Sequence, residues 1–258
     1  MTRGESRINL TVCSDLADLS RRAATKFVDI ARKAVGKQGR FTVCLSGGST
    51  PRGTYTLLAS SPLRDQVPWR QIHIFWGDER CIPSDQPDNH YRMASDLMLS
   101  KIELPLENVH PMRGDAADLE KAAKEYEASL RSFFGLTSGT MPRFDLILLG
   151  MGADGHTASL FPGTTAVCER QCLVVVNDVP TLGASRLTMT LPVINHARQV
   201  MFLVAGASKA NALLEVFQDH GNQPRLPARL VRPENGTLMW LVDEAAAIRL
   251  RPGDLKLD

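Results

Sequence analysis

The feature that most constrains the fold is a repeated pattern in which a short apolar run ends in a polar turn containing glycine. The pattern occurs at Phe41–Leu45, Ile72–Trp76, 144–149 and Gln199–Val204. Runs of this length and composition are typical of buried strands. Amphipathic stretches with helical spacing alternate with such runs along the chain, which predicts a mostly parallel sheet with helices on both faces. We therefore expect an α/β fold in which residues 1–258 form one doubly wound domain.

The same criteria predict the other elements of the chain. Further strands are expected at 7–12, 173–176, 185–191 and 238–242, and helices at 16–35, 51–58, 91–99, 115–134, 210–217 and 245–247. Gly36 is expected to end the first helix, and Pro192 to end the strand before it. Residues 77–80 carry three charges that are costly to bury, so they should face solvent or line a cleft. Residues 81–90 form a loop long enough to cover a binding site.

Composition limits the classes of protein to which the chain can belong. Of 258 residues, 43% are hydrophobic and 22% are charged, which is enough for one large globular core. The 30 basic and 28 acidic residues leave a formal charge of +2 without a long basic run, so neither nucleic acid nor a membrane is an expected partner. The N-terminus lacks the apolar segment of a secretory signal, and we expect a cytoplasmic protein.

The five cysteines are odd in number and scattered, which favours reduced thiols packed in the core over a disulfide framework. Cys168 and Cys172 are neighbours in sequence, but no histidine lies between His156 and His196 to complete a zinc site with them. The sequence therefore predicts no metal site.

The turn after the apolar run at 144–149 carries Asp154 and His156 among glycines. Ligands of open α/β sheets bind beyond the carboxyl ends of the strands, so a titratable pair at this point is a candidate catalytic group. The same pattern is consistent with a tight turn in which Asp154 caps a following helix and His156 is only solvated. Spacing alone leaves both interpretations open.

The turn after Phe41–Leu45 has the sequence Ser-Gly-Gly-Ser-Thr-Pro and leads into a predicted helix. Glycines let the backbone N–H groups approach a ligand, hydroxyls donate hydrogen bonds, and a helix N-terminus favours an anion. The turn matches neither the P-loop nor the dinucleotide fingerprint, so it favours a phosphorylated small molecule over a mononucleotide. The alternative is a strand-to-helix turn that needs glycine only for its backbone angles.

Charged residues accompany the other strands. Asp78 and Arg80 follow Ile72–Trp76, Arg186 lies in a predicted strand, and Lys209 lies in the first turn of a helix. A cation at a helix N-terminus opposes the helix dipole and is unfavourable unless an anion lies nearby. Because the carboxyl ends of parallel strands meet at one edge of the sheet, we expect these residues to converge with the two glycine-containing turns.

Taken together, these segments resemble the 6-phosphogluconolactonase family. The resemblance spans most of the chain, and its segments are LSGGSTPRGTY, WGDERCIP, PDNHYR, GADGHTASLFP, SRLTMTLPVIN, GASKA and LPARLVRPENGTLMWLVDEAAA. It implies a fold related to glucosamine-6-phosphate deaminase and ribose-5-phosphate isomerase. It also implies hydrolysis of 6-phospho-D-glucono-1,5-lactone to 6-phosphogluconate in the oxidative pentose phosphate pathway, without a metal or organic cofactor. The expected partner is this small-molecule lactone, and the expected state is a monomer or a weak homodimer.

The resemblance also implies a role for each site residue. The phosphate pocket would combine the glycine-containing loop with two cations, namely Gly47, Gly48, Ser49, Thr50, Arg186 and Lys209. His156 would be the general base that takes a proton from the attacking water. Asp154 and Asp78 would orient His156 or the water, and Arg80 would stabilise the oxyanion that develops on the carbonyl.

Two alternative functions use the same pocket. Glucosamine-6-phosphate deaminase resembles the chain around Asp154 and His156, but it carries a glutamate seven residues after the aspartate, where this chain has Phe161. A ring-opening acid is therefore missing. A sugar-phosphate-sensing domain of a transcriptional regulator would need a DNA-binding module, whereas residues 1–40 predict one strand and one helix.

Overall fold

The computed structural model describes residues 7–218 and 226–251. The strands of these residues are β1 (Arg7–Cys13), β2 (Phe41–Leu45), β3 (Ile72–Trp76), β4 (Asp78–Arg80), β5 (Val109–His110), β6 (Leu146–Leu149), β7 (Val174–Val179), β8 (Ala184–Met189), β9 (Gln199–Val204) and β10 (Thr237–Asp243). The α-helices are α1 (Leu16–Gln38), α2 (Arg52–Leu58), α3 (His90–Leu97), α4 (Leu119–Phe134), α5 (Leu191–Asn195), α6 (Ala210–Phe217) and α7 (Glu244–Ala247).

Seven strands form the main sheet, in the order β1-β10-β9-β6-β2-β3-β5, and all neighbours are parallel. Every residue of the central strands β2 and β6 is buried. A strand buried on both faces requires cover on both sides of the sheet, and the helices provide it. The predicted α/β fold is confirmed, and the organisation of residues 1–258 as one domain stays a prediction.

A second sheet of three antiparallel strands, in the order β4-β8-β7, was not predicted. No strand was predicted for residues 78–80, but they pair with β8 so that Asp78 lies opposite Thr188 and Arg80 opposite Arg186. A strand of three residues is too short to show the period-2 pattern, and its partner lies about a hundred positions away in sequence. The small sheet is important for function because it brings β8 to the end of β3.

Two helix boundaries differ from the prediction because of their caps. Helix α1 continues through Gly36 and ends at Gly39, which has a left-handed φ of 74°. A helix interior tolerates one glycine at a cost of about 1 kcal/mol, whereas this type of C-terminal cap requires a positive φ. Helix α4 begins four residues later than predicted, because Asp118 caps it by accepting a hydrogen bond from the backbone N–H of Lys121.

Two further boundaries change the interpretation of single residues. Pro192 was expected to end a strand, but β8 ends at Met189 and Pro192 lies in the first turn of α5. A proline fits there because its missing N–H has no partner in a first turn. Asp243 caps α7 by accepting a hydrogen bond from the backbone N–H of Ala246 at 2.8 Å.

The cysteines are all free, but not all of them belong to the core. Cys13 and Cys44 are buried as predicted, whereas Cys168 and Cys172 are exposed. The core prediction is wrong for this second pair, which lies at the end of a short 3₁₀ turn and in the loop before β7. In the described part of the chain, no helix has the length and apolar character needed to cross a membrane.

Candidate active site

A cavity of about 630 Å³ lies at the carboxyl-terminal edge of the main sheet. The turns that follow β2, β3, β6 and β9 meet the small sheet there, at the place where open α/β sheets bind their ligands. All ten residues selected from the sequence line this cavity, namely Gly47, Gly48, Ser49, Thr50, Asp78, Arg80, Asp154, His156, Arg186 and Lys209. The expected convergence is therefore present, while the role of each residue stays a prediction.

The turn after β6 holds His156 against Asp154. Nδ1 of the imidazole lies 2.6 Å from Oδ1 of Asp154, and the backbone N–H of His156 donates to the same oxygen at 3.2 Å. No helix follows, so the interpretation of Asp154 as a helix cap is wrong. Gly152 is required by close approach, since a Cβ atom at this position would lie 2.1 Å from Nδ1 of His156.

The electrostatics of this pair determine which nitrogen is available. Burial raises the pKa of Asp154, but the charge of His156 and its hydrogen bonds outweigh that effect, so the pKa lies below its usual value. Asp154 is therefore an acceptor at neutral pH, and Nδ1 of His156 is the donor. When the ring is neutral with its proton on Nδ1, the lone pair is on Nε2.

Phe161 packs on His156 from one side. The two rings are stacked, with centroids 4.1 Å apart and planes inclined by 24°, and Phe161 is buried. The stack restricts rotation of the imidazole, which complements the hydrogen bond to Asp154. In the sequence, Phe161 was noted only because it replaces the glutamate of deaminases. Its stack on His156 could not be predicted, because that contact depends on the irregular path of the chain after the glycine turn.

The glycine-containing loop after β2 is fixed from below by Tyr55. The phenol donates to the carbonyl oxygen of Ser46 at 2.7 Å, and the backbone N–H of Ser46 lies 3.2 Å from the same phenol oxygen. Gly48 has a φ of 90°, which favours glycine. Helix α2 begins directly after the loop, with Pro51 at its N-terminal boundary. The loop therefore starts from a fixed point at Ser46, and residues 46–51 line the cavity.

Three cationic side chains reach the cavity. Arg80 and Arg186 lie opposite each other in the antiparallel pairing of β4 and β8. Like charges in directly opposite positions destabilise a sheet unless an anion lies between them or near them. Arg80 is paired with Asp88 at 2.9 Å, whereas Lys209 has no ion-pair partner within residues 7–218 and 226–251. This concentration of positive charge favours a polyanionic group such as phosphate.

Asp78 is buried at the floor of the cavity. Its Oδ2 accepts a hydrogen bond from the hydroxyl of Ser159 at 2.7 Å. Among the described residues, the carboxylate that contacts His156 is that of Asp154. Asp78 makes no direct contact with His156, so the described contacts do not support an orienting effect of Asp78 on that ring. The other oxygen of Asp78, Oδ1, makes no hydrogen bond within the described residues and lies 3.7 Å from Nδ1 of His90.

Glu79 corrects the expectation that residues 77–80 face solvent or line a cleft. Its side chain is completely buried and accepts hydrogen bonds from three backbone N–H groups, those of Arg80, His90 and Tyr91. Burial raises its pKa, although the charge of His90 and the three hydrogen bonds oppose this effect. Glu79 therefore joins β4 to the start of α3 and fixes both ends of the loop at 81–90.

Comparison with known proteins assigns the chain to a family. Residues 14–240 match the family described as glucosamine-6-phosphate isomerases/6-phosphogluconolactonase, and the chain belongs to this family. Over 220 residues the chain is 48% identical to the 6-phosphogluconolactonase of Synechocystis sp., and the aligned region covers 85% of this chain and 89% of the relative. It is 43% identical over 217 residues to that of Nostoc sp., with coverage of 84% and 88%. The resemblance inferred from the sequence is confirmed.

A solved structure supports the same assignment of the fold. The 6-phosphogluconolactonase from Trypanosoma brucei superimposes with a TM-score of 0.84 at 30% identity, and the match covers 96% of this chain and 100% of that chain.

Proposed function

We propose that the protein hydrolyses 6-phospho-D-glucono-1,5-lactone to 6-phospho-D-gluconate, as an enzyme of the oxidative pentose phosphate pathway. The observation that carries the proposal is the pair of His156 and Asp154, 2.6 Å apart, in a cavity that also contains a glycine-containing loop and three cations. A base, a cation for the oxyanion and a phosphate site are what hydrolysis of a phosphorylated lactone needs. The names of two relatives, at 43% and 48% identity, support the same activity.

In the proposed mechanism, Nε2 of His156 takes a proton from the water that attacks C1 of the lactone. Asp154 keeps Nδ1 protonated and stabilises the imidazolium that forms. The bond between C1 and the ring oxygen then breaks, and His156 returns the proton to that oxygen, which becomes the C5 hydroxyl. The carboxylic acid product releases its own proton to solvent, so His156 ends the cycle neutral.

The other residues act on charge and position. Arg80 stabilises the negative charge on the carbonyl oxygen in the tetrahedral intermediate. Arg186, Lys209 and the loop at 47–50 hold the phosphate with charge-assisted hydrogen bonds. Oδ1 of Asp78 accepts a hydrogen bond from the attacking water and orients it. A lactone is a reactive ester, so one base and one cation at a well-positioned substrate suffice without a covalent nucleophile.

Phe161 favours this reaction over that of a deaminase. It occupies the position seven residues after Asp154, and its ring is stacked on His156. An isomerase or deaminase needs an ionisable group there to open the sugar ring, and a phenyl ring has no proton to transfer.

The finer expectations form part of the proposal. We infer that catalysis needs no metal, that the protein is a monomer or a weak homodimer, and that it works in the cytoplasm. Light scattering after size exclusion tests the second expectation, and cell fractionation tests the third.

Activity assays test the proposed function and the metal independence together. Purified protein should hydrolyse phosphogluconolactone at slightly acid pH, where spontaneous opening is slow, and the rate should survive a chelator. Absence of lactone hydrolysis would overturn the proposed function, loss of activity with the chelator would overturn the metal-free mechanism, and ammonia release from glucosamine 6-phosphate would restore the deaminase alternative.

A further inference from the structure

We propose that His90 is a specificity-determining residue whose Nε2 makes a hydrogen bond to a hydroxyl group of the sugar. The proposal rests on the lactonase activity proposed above and adds a contact to it. His90 lines the cavity, but it was not among the site residues predicted from the sequence.

The backbone of His90 is fixed by Glu79. Its N–H donates to Oε1 of Glu79 at 2.8 Å, and the N–H of Tyr91 donates to Oε2 at 2.9 Å. Because Glu79 is completely buried and also accepts from the N–H of Arg80 at 2.8 Å, strand β4 holds the first turn of α3 in place. The position of His90 therefore does not depend on the path of the loop before it.

The ring of His90 has one nitrogen committed and one available. Nδ1 lies 3.1 Å from the backbone oxygen of Asp78, which can only accept, so Nδ1 is the donor. The ring is wedged against Gly47, where a Cβ atom would lie 2.0 Å from Cδ2. In the described ranges Nε2 has no hydrogen-bond partner, yet it is not among the polar atoms sealed from solvent. It is therefore open to the cavity.

The strand order indicates what His90 meets there. Lys209 follows β9, whereas β3 leads into the segment that holds His90, and β6 and β2 lie between these strands. His90 instead lies beside Asp78, whose Oδ1 is 3.7 Å from Nδ1 and is the atom that the proposed mechanism assigns to the attacking water, so the lactone ring is the part of the substrate nearest His90. Carboxylate oxygens of Asp78 and Glu79 lie 3.7 and 3.9 Å from Nδ1. A hydroxyl group both donates and accepts, so it pairs with Nε2 in either protonation state.

Deoxy substrates combined with two matched variants test the proposal. His90→Asn keeps a donor for the carbonyl of Asp78 and removes the atom at the Nε2 position, whereas His90→Gln restores a polar atom near that position. The probes are phosphogluconolactone and its 2-, 3- and 4-deoxy derivatives. In the wild type, one derivative should lose about tenfold to a hundredfold in kcat/KM. With the parent lactone, kcat/KM of His90→Asn should be lower than that of the wild type by a similar factor. His90→Asn should have the same kcat/KM with the parent lactone and with that one deoxy derivative, and His90→Gln should recover part of the rate.

The outcomes separate the two proposals. Wild-type protein without lactonase activity would overturn the function, and with it the assignment of His90. An active wild type that shows no penalty with any deoxy lactone would overturn the assignment alone, without recourse to a variant. Equal deoxy penalties in the wild type and in His90→Asn would do the same. Binding of inorganic phosphate should be equal in all three proteins, and its loss in His90→Asn would place His90 on the phosphate instead.

Discussion

Two histidines reach the cavity from the two sides of β2, and they are held by different kinds of group. His156, after β6, donates to the carboxylate of Asp154 at 2.6 Å. His90, beyond β3, donates to the backbone carbonyl of Asp78 at 3.1 Å, and the nearest carboxylate oxygen to its Nδ1 lies 3.7 Å away. The side chain of His156 is 31% exposed and that of His90 8% exposed.

The two environments suit the two imidazoles to the different functions proposed for them. A hydrogen-bonded carboxylate stabilises the imidazolium that forms during proton transfer, and partial exposure gives water access to the ring. A backbone carbonyl fixes the tautomer, and a buried, wedged ring keeps a constant direction. The environment of His156 therefore suits a base, and that of His90 suits recognition.

The largest expected effect separates the two histidines directly. His156→Asn should lower kcat about 10²-fold to 10⁴-fold, because a general base contributes that much, while the affinity for phosphogluconate is nearly unchanged. Steady-state kinetics and calorimetry measure the two quantities. His196→Asn, outside the cavity, is the control and should behave as the wild type. Near-normal turnover of His156→Asn would remove the distinction between the histidines.

The second effect separates proton transfer from phosphate binding. Lys209→Met or Arg186→Met should raise KM about tenfold to a hundredfold with a smaller change in kcat, since each removes a charge-assisted hydrogen bond to the substrate. Lys101→Met removes an exposed cation away from the cavity and should leave KM unchanged. If Lys209→Met reduced kcat at constant KM, Lys209 would belong to the chemistry and not to binding.

The third effect tests the stack that His156 has with Phe161. Phe161→Leu should lower kcat about twofold to tenfold at constant KM, because an aromatic contact contributes about 0.5–1.5 kcal/mol to holding the imidazole. Phe161→Tyr keeps the ring and should stay near the wild-type rate. Equal losses of kcat in Phe161→Leu and Phe161→Tyr would show that stacking on the aromatic ring does not position His156.

The smallest effect concerns a histidine outside the cavity, His110. It is stacked on Phe75 with centroids 4.2 Å apart, and burial lowers its pKa to about 4, with a further contribution from His73. Its pKa in the unfolded chain is near 6.5, so the unfolded chain binds more protons between these two values. Stability should therefore fall as the pH decreases from about 6.5 towards 4.

Urea unfolding at several pH values in this window measures the effect. His110→Phe keeps an aromatic ring on Phe75, and its stability should decline less steeply with falling pH than that of the wild type. Parallel declines in the two proteins would show that His110 does not control the acid sensitivity.

The sequence predicted the features whose signals are local. The bounds of β2, β3 and β9 match the prediction because each is a continuous apolar run that ends in a polar turn. The ten site residues converge because parallel strands align their carboxyl ends.

The remaining features depend on contacts between distant positions. Strand β4 exists through pairing with β8, the hydrogen bond from Ser159 to Asp78 spans 81 positions, and the burial of Glu79 depends on the start of α3. His90 was missed for the same reason: in the sequence it is one polar residue in a loop, and its packing on Gly47 requires the folded chain. The composition of the turns is therefore enough to predict where the site lies. The contacts that hold each side chain depend on residues packed beneath the site, which are distant in sequence.

Chemical rescue of His156→Gly by imidazole tests whether His156 is the general base. The variant should be nearly inactive on phosphogluconolactone, and added imidazole should restore turnover in proportion to the concentration of its neutral form, because the free ring occupies the space between Asp154 and Phe161 and accepts the proton of the attacking water. Turnover at the wild-type rate without imidazole, or rescue that follows the imidazolium concentration instead, would contradict the assignment of His156 as the general base.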